Sequence, residues 1–347
     1  MLHRGRCRWA ALGSILTLGS QNCLMPKPLP DELYHYTGIA GLKGIVESQT
    51  LWATHYKYLN DSEEIIHFRD RLPPLLRPVI TKLLNGQNVD RNIVDLALKK
   101  DPETLAKTMY DVMFGDAEGD GISTAPFITS FCTVDKGDAR VADHGLLSQW
   151  RGYGPQGGYA IIFDTERLIQ LLLEEGKQWE YFVGLGGDVV YDSPNDEEMY
   201  AEFGGYIESI QRGWEKALST GNDTALDTRA FVFCACRYKH WGFSEEKEFR
   251  FVSVPTAPKL IEMMKKDGKT PRPEKPVYNF LRNGTPVPYL NLFEGITDPS
   301  NKQLPIKRIL VGPHPDKERR KLAVEILLRQ KGIHADVSVS AIPYLGW

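Results

Sequence analysis

Two carboxylates and a guanidinium stand at alternate positions in Glu246-Lys247-Glu248-Phe249-Arg250-Phe251-Val252. Successive side chains of a strand point to opposite faces. The spacing therefore predicts Glu246, Glu248 and Arg250 on one face and Lys247, Phe249 and Phe251 on the other. Burying two carboxylates side by side is costly unless a cation pairs with one and something else needs the second. Arg250 is the expected cation, held to one glutamate by a bidentate contact and orienting it. The plain alternative is an edge strand whose solvated face carries a ladder of ion pairs.

Two further stretches carry side chains that suit such a site. Leu33-Tyr34-His35-Tyr36-Thr37 predicts a short strand with a histidine at its centre, and Phe127-Ile128-Thr129-Ser130-Phe131-Cys132 a strand with hydroxyls at its centre. The plain alternatives are a satisfied core histidine for His35 and a simple strand serine for Ser130. Trp150, Tyr153 and Trp241 are read first as core aromatics. Cys234-x-Cys236 followed by His240 matches none of the common zinc spacings, so no metal site is assigned. The glycines at 152, 154, 157 and 158 run into a strand and not into a helix N-terminus, which excludes a phosphate loop.

Composition bounds the rest. A chain of 347 residues with 25% charged and 42% hydrophobic residues is ordinary for a globular protein, and membrane spanning is disfavoured. Its net charge of −3 gives no bulk field to hold a polyanion. Five scattered cysteines make no disulfide framework and suggest a reducing, cytoplasmic compartment. Arg4, Arg6 and Arg8 precede a short apolar run like a signal-peptide start, without a cleavage site. Residues 1–24 are expected to be a dispensable leader before an alternative start at Met25.

The elements that must position these residues follow the same rules. Thr37 is expected to cap a helix from Gly38 to Ser48, followed by a strand at Leu51 to Thr54. Asp61, with Glu64 completing a capping box, opens a helical region over about 64–118, broken at Pro73-Pro74, Pro78 and Asn85-Gly86 and read as a helical insertion. Strands are predicted at Tyr159 to Asp164, Asp188 to Tyr191 and Ile306 to Gly312. Helices are predicted at Thr165 to Glu175, Glu197 to Leu218 and Lys317 to Gln330, with a last strand at Ala335 to Val339. Residues 226–238 suit a helix or a strand, and 271–288 read as a proline-rich loop. The chain from 25 to 347 is expected to be one α+β domain.

In order, Leu33 to Thr37, Asn60-Asp61-Ser62-Glu63, Ser130-Phe131, Trp150-x-x-Tyr153, Ile162-Phe163-Asp164, Lys239-x-Trp241, Glu246-x-Glu248-x-Arg250 and Ile309 to Gly312 resemble a bacterial domain-of-unknown-function family, number 2971. That resemblance covers nearly all of the chain after Met25. More distantly, a His-Tyr strand, a Thr/Ser strand and a late Glu-x-Glu strand resemble the ADP-ribosyltransferase superfamily. This second resemblance implies a split mixed sheet flanked by helices and NAD as substrate. It also implies transfer of ADP-ribose to a macromolecular acceptor by a toxin or phage-defence effector with an antitoxin or defence-system partner.

Carried over residue by residue, the resemblance makes Glu248 the stabiliser of the ribosyl cation, and Glu246 the residue that attracts and deprotonates the acceptor. His35 becomes a donor to a ribose hydroxyl within side-chain reach of Glu248. Tyr36, Thr37, Ser130 (or Thr129), Trp150, Tyr153 and Arg250 complete the NAD site. An NAD glycohydrolase using the same residues and an inactive binding module of the same fold are the rival readings.

Overall fold

The structure, a computed structural model, describes residues 29–59, 64–84, 125–135, 137–154, 157–220, 228–296 and 303–343. The leader at 1–24, the Asp61 cap and residues 85–118 of the expected insertion lie outside them. The first described segment runs β1 (Glu32–Thr37), α1 (Ile39–Ser48) and β2 (Leu51–His55), and α2 (Glu64–Leu84) follows. Next come β3 (Phe127–Cys132), α3 (Ala139–His144), α4 (Leu147–Tyr153), β4 (Tyr159–Asp164) and α5 (Thr165–Gln178). The middle holds β5 (Tyr181–Asp188), β6 (Val190–Tyr191), α6 (Glu197–Thr220), α7 (Thr228–Ala235) and β7 (Tyr238–Lys239). A 3-10 turn over Trp241–Glu246 leads to β8 (Glu248–Pro255) and α8 (Pro258–Lys266). The chain then forms β9 (Val277–Arg282), β10 (Thr285–Leu292), β11 (Ile306–Val311), α9 (Lys317–Gln330) and β12 (Asp336–Val339).

Among the described residues ten strands form one mixed sheet, and β6 and β7 make a separate parallel pair. The sheet branches at β3. Along one edge β3 pairs with β8 over its whole length, from Phe127↔Ser253 to Cys132↔Glu248, and β5 lies beyond β8. The other edge is shared: β1 meets β3 at Tyr34↔Cys132, whereas β2 meets it at Thr54↔Ile128 and His55↔Phe127. β1 continues into β4, β11 and β12, while β2 continues into β10 and β9.

Helices cover both faces. On the face of Ile128 and Val252, Phe68, Leu72 and Leu76 of α2 pack with Phe203 of α6 and Phe231 of α7. On the opposite face, Phe131, Phe163 and Phe251 pack with Leu42 of α1, Leu168 of α5 and Leu328 of α9. Among the described residues no helix is long and apolar enough to cross a membrane.

Several expectations are corrected. α1 is capped by Gly38 without a side-chain bond, because Thr37 is still held in β1 opposite Tyr159. α2 runs through Pro73, Pro74 and Pro78, since the apolar face that buries Phe68, Leu72, Leu75 and Leu76 outweighs the local cost of the prolines. The ambiguous segment before Tyr238 is the helix α7. The strand expected at Asp188 to Tyr191 is divided: β5 ends at Asp188, and Val190 and Tyr191 leave the main sheet to pair with Tyr238 and Lys239.

The expected loop at 271–288 contains the hairpin of β9 and β10, which turns on Asn283 (φ 51°) and Gly284 (φ 79°). Pro286 and Pro288 are tolerated in β10. Register directs their missing N–H groups toward β2, beyond the point at Tyr289 where pairing with β2 begins.

Candidate functional site

The branch in the sheet borders a cavity of about 200 Å3. His35, Tyr36, Ser130, Tyr153, Glu246, Glu248 and Arg250 all line it, and so does Thr129. Thr37 and Trp150 do not. Trp150 is buried, donates from Nε1 to the His144 carbonyl at 3.0 Å, and packs edge-on against Tyr36 with ring centroids 4.8 Å apart. It supports the cavity wall from behind.

The pair of glutamates is built differently from its sequence reading. Glu246 ends the 3-10 turn and does not lie on a strand, and Lys247 follows it in the left-handed region at φ 42°. This kink is tied down from outside: the Lys247 carbonyl accepts from Thr133 N at 2.8 Å and Thr133 Oγ1 at 2.9 Å. Its ammonium pairs with Asp135. Only Glu248 and Arg250 therefore share a strand face. Glu246 is brought back toward them by the turn.

What gathers the carboxylates is Lys239, on β7. Its Nζ lies 2.8 Å from Glu246 Oε2 and 3.1 Å from Glu248 Oε2. Arg250 grips Glu248 with Nε at 2.7 Å and Nη2 at 2.9 Å, and its Nη1 donates to the Cys236 carbonyl at 2.8 Å. The backbone N–H of Glu248 donates to Tyr191 Oη at 2.9 Å, and Val189 N donates to its carbonyl at 2.8 Å. Two cations thus balance two carboxylates, with Arg250, Lys239 and Glu248 all buried.

Protonation follows from this arrangement. Burial alone would raise the Glu248 carboxyl, but Arg250 and Lys239 outweigh it and hold the group at about 2, helped by the Ser130 hydroxyl. Glu246 is shifted the other way. Burial raises it more than Lys239 lowers it. Glu248 is therefore a fixed charge, and Glu246 is the carboxylate closer to exchanging a proton.

His35 reaches the cavity from a different direction. Tyr34 pairs with Cys132 and Cys132 with Glu248, so Tyr34, Cys132 and Glu248 share a face, and His35 belongs to the opposite one. Its ring packs edge-on against Phe131 at 5.7 Å. Nδ1 lies 3.1 Å from the Ser130 carbonyl, at the branch between the short β1 and β2 pairings. A carbonyl only accepts, so Nδ1 carries the proton. Burial lowers the His35 pKa, which keeps the ring neutral and makes Nε2 an acceptor. This reverses the donor role expected of it, and the opposite face corrects the expectation that His35 lies within side-chain reach of Glu248. Thr129 knits the same branch, donating from Oγ1 to the Trp52 carbonyl at 3.0 Å.

Lys239 was legible only as part of a motif, without a role, because nothing local marks a lysine seven residues before a glutamate as its partner. Trp52 and Arg282 also line the cavity and were missed. They come to it from β2 and the hairpin, and the hairpin itself read as loop. Cys234 and Cys236 are buried in the apolar core, and His240 accepts from Gly242 N at 3.1 Å. Among the described residues no group of three or more His, Cys, Asp or Glu could hold a metal.

Residues 149–251 match the model of a family described as a protein of unknown function, DUF2971. The match is narrower than the resemblance read along the sequence and covers less than a third of the chain. It includes Tyr153, Lys239, Glu246, Glu248 and Arg250, the charged half of the cavity, and leaves out His35 and Ser130. Neither the curated proteins nor the solved structures contain a match to this chain.

Proposed function

We propose that this protein cleaves the nicotinamide–ribose bond of NAD and transfers ADP-ribose to a macromolecular acceptor. The observation that carries this reading is one cavity bordered by Glu248, Glu246 and Ser130, with Glu248 held ionised. As the bond breaks, positive charge develops on the ribose and nicotinamide leaves as a neutral base. A carboxylate fixed in its ionised state strengthens its hold on a ribose hydroxyl as that charge grows, which is differential binding of the transition state. Glu248 supplies that carboxylate. Glu246 accepts the proton of the attacking group as the acceptor forms the new bond to ribose.

The donor set fits such a substrate with one condition. Arg250 and Lys239 make three contacts to the Glu248 carboxylate, and the Ser130 hydroxyl also acts on it. A carboxylate has about four lone-pair sites, so a ribose hydroxyl must replace Ser130, the neutral group among these.

The same saturation favours a second reading, in which the ion network is a scaffold and the cavity only binds. Incubation with NAD separates the readings by following free nicotinamide with and without cell lysate. Release that depends on lysate supports transfer, and equal release without it means hydrolysis. No release together with no thermal shift from NAD leaves the binding module.

A further inference from the structure

The cavity is small for the substrate proposed for it. Pockets that enclose whole drug-sized ligands run to roughly 300–1,000 Å3, and this one holds about 200 Å3. A nicotinamide riboside end occupies it, and the rest of a dinucleotide must lie outside. The sheet face beside the cavity has the chemistry to receive it. Thr54 pairs with Ile128 and with Tyr289, and Tyr289 pairs with Tyr278, so Trp52, Tyr289, Tyr278 and Phe280 share the face of Ser130 and Glu248.

These rings form a connected cluster, with centroids 4.4 Å apart for Trp52 and Tyr289 and 5.1 Å apart for Trp52 and Phe280. The cluster is open to solvent: Trp52 is 48% exposed and Tyr278 38%. Exposed aromatics gathered on one sheet face are a costly surface to leave uncovered, and a flat heteroaromatic ring covers them at little entropic cost. Trp52 belongs both to this cluster and to the cavity wall. Arg282, the next residue of β9 on the same face, also lines the cavity, with Nη2 donating to the Tyr58 carbonyl.

We infer that the aromatic face of the β2–β10–β9 arm is the subsite for the adenine ring of the dinucleotide, with Arg282 beside the diphosphate. The inference rests on the NAD reading but is tested apart from it, because adenosine monophosphate probes this face alone and nicotinamide mononucleotide probes the cavity alone. Phe280 and Tyr289 lie outside the cavity wall, so Phe280→Ala and Tyr289→Ala remove stacking rings without removing a cavity-lining side chain. Calorimetric titration should show each variant weakening NAD and adenosine monophosphate about tenfold, the effect of losing one base-stacking ring. The mononucleotide of nicotinamide should bind as before, and Phe280→Tyr should restore wild-type affinity.

Unchanged NAD and adenosine monophosphate affinity in both alanine variants would overturn the inference. So would an equal loss for nicotinamide mononucleotide, which would make the rings a brace for the cavity. If wild-type protein binds neither NAD nor nicotinamide mononucleotide, the transferase reading falls. Adenosine monophosphate binding that is lost in Phe280→Ala would then still support the adenine subsite, and absence of that binding in wild type would end it.

Discussion

Glu248 and Glu246 are two residues apart and shift in opposite directions in protonation because their partners differ. Glu248 takes both Nε and Nη2 of Arg250, whereas Glu246 contacts Lys239. Glu248→Gln should therefore lower nicotinamide release by about a hundredfold or more. It should also destabilise the fold by about 3 kcal/mol, because the buried bidentate ion pair with Arg250 loses its charge. Glu246→Gln should unfold near the wild-type temperature and lose transfer to the acceptor more than hydrolysis. Paired thermal melts and nicotinamide assays check both; a Glu248→Gln variant with full activity would remove the catalytic assignment.

Acid stability follows the same residue. The folded carboxyl of Glu248 is depressed from its ordinary 4.5 to about 2. Its contribution is complete above pH 4.5 and is lost as pH falls from there toward 2. His35 adds an earlier loss, because its folded pKa is lowered from 6.5 and the unfolded chain takes the proton first. Glu246, raised above 4.5, acts in the opposite sense and returns part of that loss. Urea titrations at a series of pH values should show stability declining below about 6.5 in wild type. The fall between 4.5 and 2 should be flatter in Glu248→Gln.

At the scale of elements, β5 shows why a strand beyond β8 can need its glycines. Gly187 pairs with Arg250 on β8, and a Cβ placed on it would sit 2.3 Å from Arg237 Cζ. Arg237 has no room to retreat. Its guanidinium is buried, pairs with Glu202, donates from Nε to the Asp188 carbonyl at 2.8 Å and lies 4.4 Å from the Phe233 ring centroid. Gly187→Ala should cost about 1–3 kcal/mol, the usual range for an overpacked core. Chemical denaturation measures it; a neutral result would mean that Arg237 is held less firmly than its contacts indicate. In sequence, Gly184, Gly186 and Gly187 hid this strand, because glycine is depleted in strands and the reason for it here is a side chain fifty residues away.

Over the whole molecule, a second buried ion cluster ties the hairpin arm to the body of the fold. Lys275 is fully buried 2.7 Å from Glu175 of α5 and 3.2 Å from Glu294, and it donates to the Asn291 carbonyl at 2.8 Å. Glu175 also accepts from the backbone N–H of Phe293 at 2.8 Å and from Tyr181 Oη at 3.0 Å. Lys275→Met leaves that carboxylate buried without its cation and should cost about 3–5 kcal/mol. Hydrogen exchange should show the loss first in β9 and β10, where the cluster anchors the arm; uniform destabilisation would mean that the arm and the body unfold together.

Several elements could be read directly from the chain because their signals are local. Tyr159 to Asp164 is a continuous apolar run, Lys317 to Gln330 keeps a helical pattern, and the Leu33 to Thr37 strand carries β-favouring aromatics. The residue types around the cavity were local too, in His35, Ser130, Glu246, Glu248 and Arg250. The tertiary structure decided how they meet. Whether Glu246 lay on the strand depended on a left-handed Lys247 anchored by Thr133 and Asp135, more than a hundred residues earlier. Which cation joined the two carboxylates depended on the pairing of β6 with β7, which presents Lys239. The face that His35 occupies was set by the Tyr34↔Cys132 register, since shifting a strand by one residue exchanges its faces and no local preference senses that choice.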